Sequence, residues 1–409
     1  MLLNLERARA QLRREGLDAV VVSTPTNVIY AADFASEFLL GRFEDDTAAV
    51  VIAADPAVPP ALVVPEFDLP HLTESPSWIE DIQVYGNPWS SVGTFMGETL
   101  AAGLDTPLRP RLKELRDRLR PQQKANFMEA LGAVLRKRRL GQARLACDEL
   151  RVARRLEALG FGGNAGIADA RQTMRRIRMV KTAAERAIMT SGAAINAETL
   201  GAVIAAGRPG MAESDLTRVF RRTLVERDAR HLGERGMMFA SGDASSFSLP
   251  ASDRRRLAPG DAIVLDCLGT YRCYHMDLAR TGVVGPPSVE QSHRYRAVLT
   301  ALEAVEAAIK SGIHTQALRQ LTRDTIAGHG LRPELVSVTT HGLGLEVFEF
   351  PEEDSLAQGF PLEAGMIVNT EVFYRDPVLG SFHLEDSVEV TAGGCRLLHP
   401  APRELVVFN

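Results

Sequence analysis

Several features that mark particular protein classes are scarce or absent in this sequence. Of its 409 residues only four are cysteine, at Cys147, Cys267, Cys273 and Cys395, and no two form a Cys-x-x-Cys pair. This spacing argues against a disulfide framework or a thiolate zinc site. No run approaches the roughly 20 apolar residues of a membrane span, and charged side chains interrupt residues 1–7, where a signal peptide needs an apolar core. We expect a protein of the reducing cytoplasm.

A strong positive charge is also missing. The formal net charge is −5 and the isoelectric point is about 6.0, so the chain as a whole does not attract nucleic acid or anionic membranes. The densest basic run, residues 136–139, lies among apolar residues at helical spacing, which is typical of a solvated helix face. We therefore expect neither nucleic acid nor a membrane as partner.

The first part of the chain has an α/β pattern. Hydrophobic residues make up 45% and charged residues 24%, as in ordinary globular proteins, and 409 residues exceed what one core usually serves. Periodicity predicts a helix over 5–15, strands at 19–22, 48–52 and 61–64, and a helical region from 91 to 140. A glycine-rich segment at 160–166 predicts a domain boundary near residue 165. The predicted domains are therefore 1–165 and 166–409.

The second part mixes helices and strands in longer blocks. Thr182 to Glu185 has the form of a capping box that opens a long helix, and a second helix follows Met211 with Ser214 as its cap. Further helices are predicted near 290–310 and 315–329, and strands at 262–266, 366–371 and 387–390. The halves 180–285 and 290–392 are loosely alike, each with helices followed by strands.

Acidic residues and one histidine stand at unusual places in these strands. Asp266 ends an apolar run, Asp277 follows eleven residues later across an apparent hairpin, and Glu371 also follows an apolar run. His341 lies between glycines and threonine in Thr-His-Gly-Leu-Gly. Each residue alone has a simpler explanation, as a turn former or a structural histidine. Together they match hard divalent cations, which prefer oxygen ligands and tolerate an imidazole.

The joint pattern resembles the creatinase, prolidase and aminopeptidase P superfamily, the pita-bread metal hydrolases of family M24. The matching stretches, in order, are residues 178–181, 240–242, 253–261, 266–281, 341–349, 365–371 and 384–386. This resemblance implies an α/β creatinase-like N-terminal domain, an α+β pita-bread catalytic domain and a homodimer. It also implies two divalent metal ions, Mn, Co, Zn or Fe, bound by Asp266, Asp277, His341, Glu371 and Glu385.

The reaction that the resemblance implies is hydrolysis of an amide or related C–N bond in a small molecule by a metal-activated water. The chain departs from the peptidases in lacking a histidine between Asp243 and Ala251, and in having Phe348 where they have a histidine before Glu349. His383 stands two residues before Glu385, where many peptidases have arginine.

These departures suggest a relocated acid or base. We expect His383 or His275 to take that role with assistance from Glu349, and Phe348 and Tyr374 to contact the substrate. An apolar Phe348 would favour an aromatic or hydrophobic substrate. Two alternatives are a metal-dependent lyase acting on a small metabolite, because relatives without the peptidase histidines include lyases, and a non-catalytic binding protein.

Overall fold

Residues 1–178 and 179–409 fold as separate units. The computed structural model describes residues 1–36, 39–40, 47–86, 108–232, 238–337, 340–350 and 359–409. The division follows Arg178 and lies later than the predicted boundary near residue 165. The reason is that a strand after the glycine-rich segment, residues 168–169, pairs with strand 145–147 and so belongs to the first unit.

The first unit is built on a mixed six-stranded sheet in the order β4-β3-β2-β1-β5-β6. Its strands are β1 Ala19–Val22, β2 Ala49–Ala53, β3 Ala61–Pro65, β4 Asp81–Tyr85, β5 Leu145–Cys147 and β6 Ala168–Asp169. Its helices are α1 Leu5–Arg14, α2 Pro25–Ala32, α3 Leu69–Glu74, α4 Leu108–Leu119, α5 Phe127–Lys137, α6 Leu150–Ala158 and α7 Arg171–Arg178. The predicted α/β pattern is confirmed, although β4 and β5 were not anticipated, and residues 91–107 of the predicted helical region lie outside the described residues.

The second unit carries a nine-stranded sheet in the order β11-β12-β13-β10-β9-β7, with β14 on β13, β15 on β10 and β8 on β9. Its strands are β7 Arg230–His231, β8 Met238–Ser241, β9 Ala262–Tyr271, β10 Tyr274–Val284, β11 Thr340–Gly342, β12 Ile367–Asp376, β13 Gly380–Val390, β14 Cys395–Leu397 and β15 Val406–Phe408. Its helices are α8 Ala183–Ala206, α9 Glu213–Val225, α10 Val289–Ala308 and α11 Thr315–Gly328. Each half contributes two helices and a long hairpin, and the hairpins meet where β10 pairs with β13.

The starts of α8 and α9 test the two predicted caps. Glu185 N donates to the Thr182 hydroxyl at 3.3 Å and Thr182 N donates to the Glu185 carboxylate at 2.8 Å, so the predicted capping box is confirmed. The predicted cap Ser214 is wrong, because Ala212 is the N-cap and its N–H donates to Asp215 at 3.0 Å. Ser214 already lies inside the helix.

Side-chain alternation in the long strands separates a core face from a second face. Val372 and Tyr374 of β12 pack in a core cluster with residues of α10, whereas Glu371, Phe373 and Arg375 alternate with them and point to the opposite face. The helices therefore cover one side of the sheet. The other side is free to carry polar side chains.

Helix α8, the predicted long helix, is the one helix of the described residues that is long and apolar enough to cross a membrane, although its sequence predicts no membrane span. It packs within the second unit. Leu200 and Val203 lie in a core cluster with residues of β9 and β10, and the Asn196 amide donates to the Cys267 carbonyl at 2.8 Å. These contacts are typical of the core helix of a globular unit.

The segment between the two units contains two cations that are each buried within their own unit. Arg178 donates to the Asn27 side-chain oxygen in the first unit. Lys181 donates to Glu349 at 2.9 Å in the second unit, and both side chains are about 1% exposed. Glu349 also accepts from Leu345 N at 3.0 Å, so the ion pair fixes the segment that follows His341.

Glu349 and Glu185 are two buried acids near Lys181, and replacing each by glutamine should have opposite effects on the free energy of unfolding near pH 8. Replacing Glu349→Gln leaves Lys181 as an unpaired buried cation, which we expect to cost about 3–5 kcal/mol in the free energy of unfolding. Burial raises the pKa of Glu185 to about 7, with the charge of Lys181 opposing the shift. Because the folded-state pKa lies above its ordinary value, the protonated acid is favoured in the folded state, and its stabilisation is lost as pH rises through about 7.

Urea unfolding of Glu185→Gln at pH 5 and pH 8 tests this expectation, since glutamine also fits a capping box. The variant should gain stability relative to the parent at pH 8 compared with pH 5. If Glu349→Gln and Glu185→Gln lost the same free energy of unfolding at pH 5 and at pH 8, the assignment of Glu349 as the ionised partner of Lys181 would be contradicted.

Candidate metal centre

The five residues predicted as ligands all lie on the large sheet. Asp266 is in β9, Asp277 in β10, His341 in β11, Glu371 in β12 and Glu385 in β13. Glu371 is directly opposite Glu385, and Ala279 is opposite both Asp266 and Glu385. Asp266 and Glu371 lie within their strands and not at the ends, because both strands continue well past the predicted runs.

His341 stands at the centre of three carboxylates. Its Nε2 lies 3.5 Å from Glu371 Oε1, 3.6 Å from Glu385 Oε1 and 3.8 Å from Asp277 Oδ2. Asp277, His341 and Glu385 each offer a ligand atom, and these atoms lie within 4.8 Å of one another. All four side chains are at least nine-tenths buried.

His383 extends the cluster on its other side. Its Nε2 is 2.9 Å from Glu371 Oε2 and 3.9 Å from Glu385 Oε2, and these three residues form a second group of ligand atoms within 4.8 Å. Glu371 and Glu385 thus each direct one oxygen to His341 and the other to His383. Each of these two carboxylates could therefore offer an oxygen to a cation beside either histidine.

Burial and mutual repulsion dominate the electrostatics of this cluster. Burial raises the pKa of Asp266 to about 7, opposed first by the charge of His383. Burial and the charge of Glu385 raise the pKa of Asp277 well above its usual range. For His383, burial acts to lower the pKa, but the hydrogen bond and charge of Glu371 outweigh it and the pKa is raised. The protein alone therefore does not balance the negative charge that it gathers here.

The donor set fits divalent cations. Four carboxylates meet two imidazoles, the mixture of oxygen and nitrogen ligands accepted by Mn, Co, Zn and Fe. Asp266 Oδ1 is buried and has no hydrogen-bond partner among the described residues, a costly state for a carboxylate unless a cation satisfies it. Asp266, Asp277, His341, Glu371 and Glu385 could hold two ions, and His383 is a sixth donor.

Neighbouring groups hold the ligands in position. Asn369 donates to Glu385 Oε1 at 2.8 Å, and the Ser387 hydroxyl donates to the Asn369 oxygen at 2.5 Å. His341 Nδ1 lies 3.0 Å from the Gly342 carbonyl. Because a carbonyl oxygen can only accept, Nδ1 carries the proton and the lone pair of neutral His341 is on Nε2, facing the carboxylates.

The remaining predicted residues are distributed differently. Phe348 is at the site, with its ring 4.6 Å from the His341 ring and 49% of its surface exposed. His275 lies against the neighbouring glycine segment, with Nδ1 3.2 Å from the Gly344 carbonyl. Glu349 is about 1% exposed and forms an ion pair with Lys181, so its carboxylate is not accessible to a substrate.

Tyr374 is not where the sequence placed it. Only 2% of its surface is exposed, and it packs in the core on the opposite face of β12 from Glu371. The expectation that it contacts substrate therefore fails on geometry. Strand alternation could have shown this, because Tyr374 is an odd number of residues from Glu371.

Two family models match the chain. The Creatinase/Prolidase N-terminal domain matches residues 4–180, and Metallopeptidase family M24 matches residues 187–392. The second match contains all five predicted ligands as well as His383. The two matches follow the predicted order of an N-terminal domain and a catalytic domain.

Relatives in sequence are peptidases by name. An uncharacterized peptidase, YqhT, from Bacillus subtilis is 29% identical over 237 residues, 58% of this chain and 67% of that protein. The Xaa-Pro dipeptidase of Pyrococcus furiosus is 31% identical over 169 residues, 41% of this chain. The aligned part of the chain spans about half of the Pyrococcus relative's length, at 48%.

Solved structures share the fold over almost the whole chain. A dipeptidase from Pyrococcus horikoshii superposes with a TM-score of 0.77 at 20% identity and covers 98% of this chain and 99% of its own. The Xaa-Pro dipeptidase from Bacillus anthracis has a TM-score of 0.76 at 20% identity, with 98% of each chain covered. The predicted fold class is confirmed, and the protein belongs to metallopeptidase family M24 of the creatinase and prolidase superfamily.

Proposed function

We propose that this protein is a divalent-metal-dependent hydrolase that cleaves a C–N bond in a small, amide-like substrate. The observation that supports this most is the buried cluster in which Glu371 and Glu385 each face both His341 and His383. M24 membership and peptidase relatives support the same reaction class. Homodimeric assembly and a cytoplasmic location belong to the proposal, and all four cysteines are free thiols.

Two bound cations would supply a water of lowered pKa and polarise the carbonyl under attack. The protein's own contribution is to hold the donors rigidly in a dry site. Asn369 orients Glu385, and the Gly342 carbonyl sets the tautomer of His341. Such partners of ligands typically change metal affinity or activity by about 10–100-fold when removed.

Glu349 acts in this proposal as a positioning residue. Its carboxylate accepts from Lys181 and from Leu345 N, which fixes the turn between His341 and Phe348. A Cβ at Gly344 would lie only 2.7 Å from the Glu349 carboxyl carbon, so glycine is required there. The exposed ring of Phe348 then forms an apolar wall beside His341, suited to a flat or hydrophobic part of the substrate.

His383 is better placed to bind a cation than to exchange protons with substrate. It is 2% exposed, its Nε2 faces two candidate ligands, and its Nδ1 is buried without a hydrogen-bond partner among the described residues. A general acid must reach the leaving group within hydrogen-bond distance. We assign His383 as an additional nitrogen donor and not as the free acid or base that the sequence suggested.

Metal removal and solvent labelling test the reaction. Hydrolysis of Xaa-Pro dipeptides and related small amides should be abolished by chelation and restored by Mn²⁺ or Co²⁺. In oxygen-18 water the product carboxylate should gain one solvent oxygen. Asp277→Asn should lose more than about 100-fold in kcat/KM, beyond the loss typical of residues that only orient ligands, whereas Glu303→Gln, an exposed change on α10, should not. Cleavage without solvent oxygen would exclude hydrolysis and favour elimination.

Cobalt substitution tests the role of His383. In the Co²⁺ protein, His383→Asn should alter the visible absorption of the metal and weaken Co²⁺ binding by at least about tenfold. His293→Asn on α10 is the matched control and should change neither. An unchanged cobalt spectrum, combined with loss of one limb of the pH profile of kcat, would instead show that His383 is an acid or base.

A further inference from the structure

Two further rows of side chains continue from the candidate metal centre along the same face of the sheet. Glu371, Phe373 and Arg375 alternate on β12. Their cross-strand neighbours on β13 are Glu385, His383 and Ser381, in that order. The face thus changes from carboxylates to an aromatic pair and then to a guanidinium, with Cα atoms of Glu371 and Arg375 about 13 Å apart along the strand.

The middle layer connects the outer two by stacking. The Phe373 ring lies on the His383 ring with centroids 4.3 Å apart and planes 7° from parallel. The Arg375 guanidinium carbon lies 4.1 Å from the Phe373 centroid. His383 in turn is hydrogen-bonded to Glu371, so Phe373 contacts both the guanidinium and an imidazole of the cluster. The position of the guanidinium is therefore set by the same side chains that shape the metal centre.

Arg375 has no counter-ion among the described residues. Its Nη1 donates to the Ser246 carbonyl at 3.1 Å and to the Ser248 hydroxyl at 2.6 Å, both neutral acceptors. No described carboxylate lies within ion-pair distance, and no described residue accepts from Nε or Nη2. Burial lowers the pKa of Arg375, and the negative charge of Glu371 opposes the shift. A partly buried guanidinium with one edge unused is a typical receptor for a carboxylate.

The segment that presents these acceptors is the one in which the sequence lacks the peptidase histidine. Residues 242–247 form a short 3₁₀ turn, and Ser248 follows in the left-handed conformation with φ 51°. The turn is fastened to the ends of β12 and β13 by the Ser246 hydroxyl, which donates to the Asp376 carbonyl at 2.8 Å, and by Ser381 N, which donates to Ser245 at 2.7 Å. This part of the chain therefore does not supply an imidazole, but its Ser246 and Ser248 oxygens hold the guanidinium of Arg375 in place.

We propose that Arg375 binds a carboxylate of the substrate through its unused Nε–Nη2 edge, so that the enzyme selects small anionic substrates. This inference rests on the proposed function. The Phe373 ring holds the guanidinium carbon 4.1 Å from its centroid, and the Ser248 hydroxyl holds Nη1. Arg375 is thus a specificity-determining residue and not part of the cluster that binds metal.

Paired probes that differ only in the charge of their terminal group test the proposal. Calorimetric titration of the purified protein should show that N-acetyl-L-proline binds about ten- to a hundredfold more tightly than N-acetyl-L-prolinamide, the range expected for charge-assisted hydrogen bonds. Arg375→Gln should abolish this preference, and Arg375→Lys should keep part of it. Arg296→Gln, an exposed change on α10, should leave it intact.

Several outcomes would overturn the inference. Equal binding of the two probes, binding of neither, or a preference unchanged in Arg375→Gln would each do so. So would an equal loss of affinity for both probes with a lowered melting temperature in both Arg375 variants, because Arg375 would then only fasten the 242–248 turn. The hydrolysis assay is separate: a carboxylate preference without any C–N cleavage would retain the anion site and reject the proposed reaction.

Discussion

The central constraint on the structure is the free-energy cost of burying four carboxylates close together. Asp266, Asp277, Glu371 and Glu385 converge on His341 and His383, and burial together with repulsion drives the pKa of the two aspartates upward. Two imidazoles cannot balance four acids near neutral pH. Two divalent cations can, and their binding energy would then stabilise the fold that positions them.

The sheet makes this convergence possible. In β12 and β13 one set of alternate residues packs under the helices, and the other set projects to the opposite face. A pleated strand therefore supplies core contacts and ligands from the same few residues. The same alternation leads outward through Phe373 and His383 to Arg375, so the proposed metal ligands and the proposed carboxylate-binding residue lie on the same strands. The Lys181 and Glu349 pair fixes the adjacent turn.

Much of this was predictable from sequence because strong local signals mark it. Fully apolar runs predicted β1 and β3, the capping box predicted α8, and acids following apolar runs predicted candidate ligands that lie together in the structure. What failed depends on direction and partner, which spacing alone does not encode. Tyr374 follows Glu371 by three residues and so faces the core. The position of Glu349 in sequence suggested a catalytic acid, but its carboxylate pairs with buried Lys181, which is 168 residues away in sequence. The short strand and helix after the glycine-rich segment belong to the first unit, so the boundary follows Arg178 instead of residue 165.

The most direct test of the central claim is anomalous diffraction from crystals of the full chain grown with Mn²⁺. The account predicts two peaks a few ångströms apart, each about 2 Å from donor atoms of the cluster, with Glu371 and Glu385 contacting both. His383 should contact the ion that binds Glu371 Oε2, the oxygen that faces it. Absence of manganese at these side chains, or a single ion that does not contact Asp266, would contradict it.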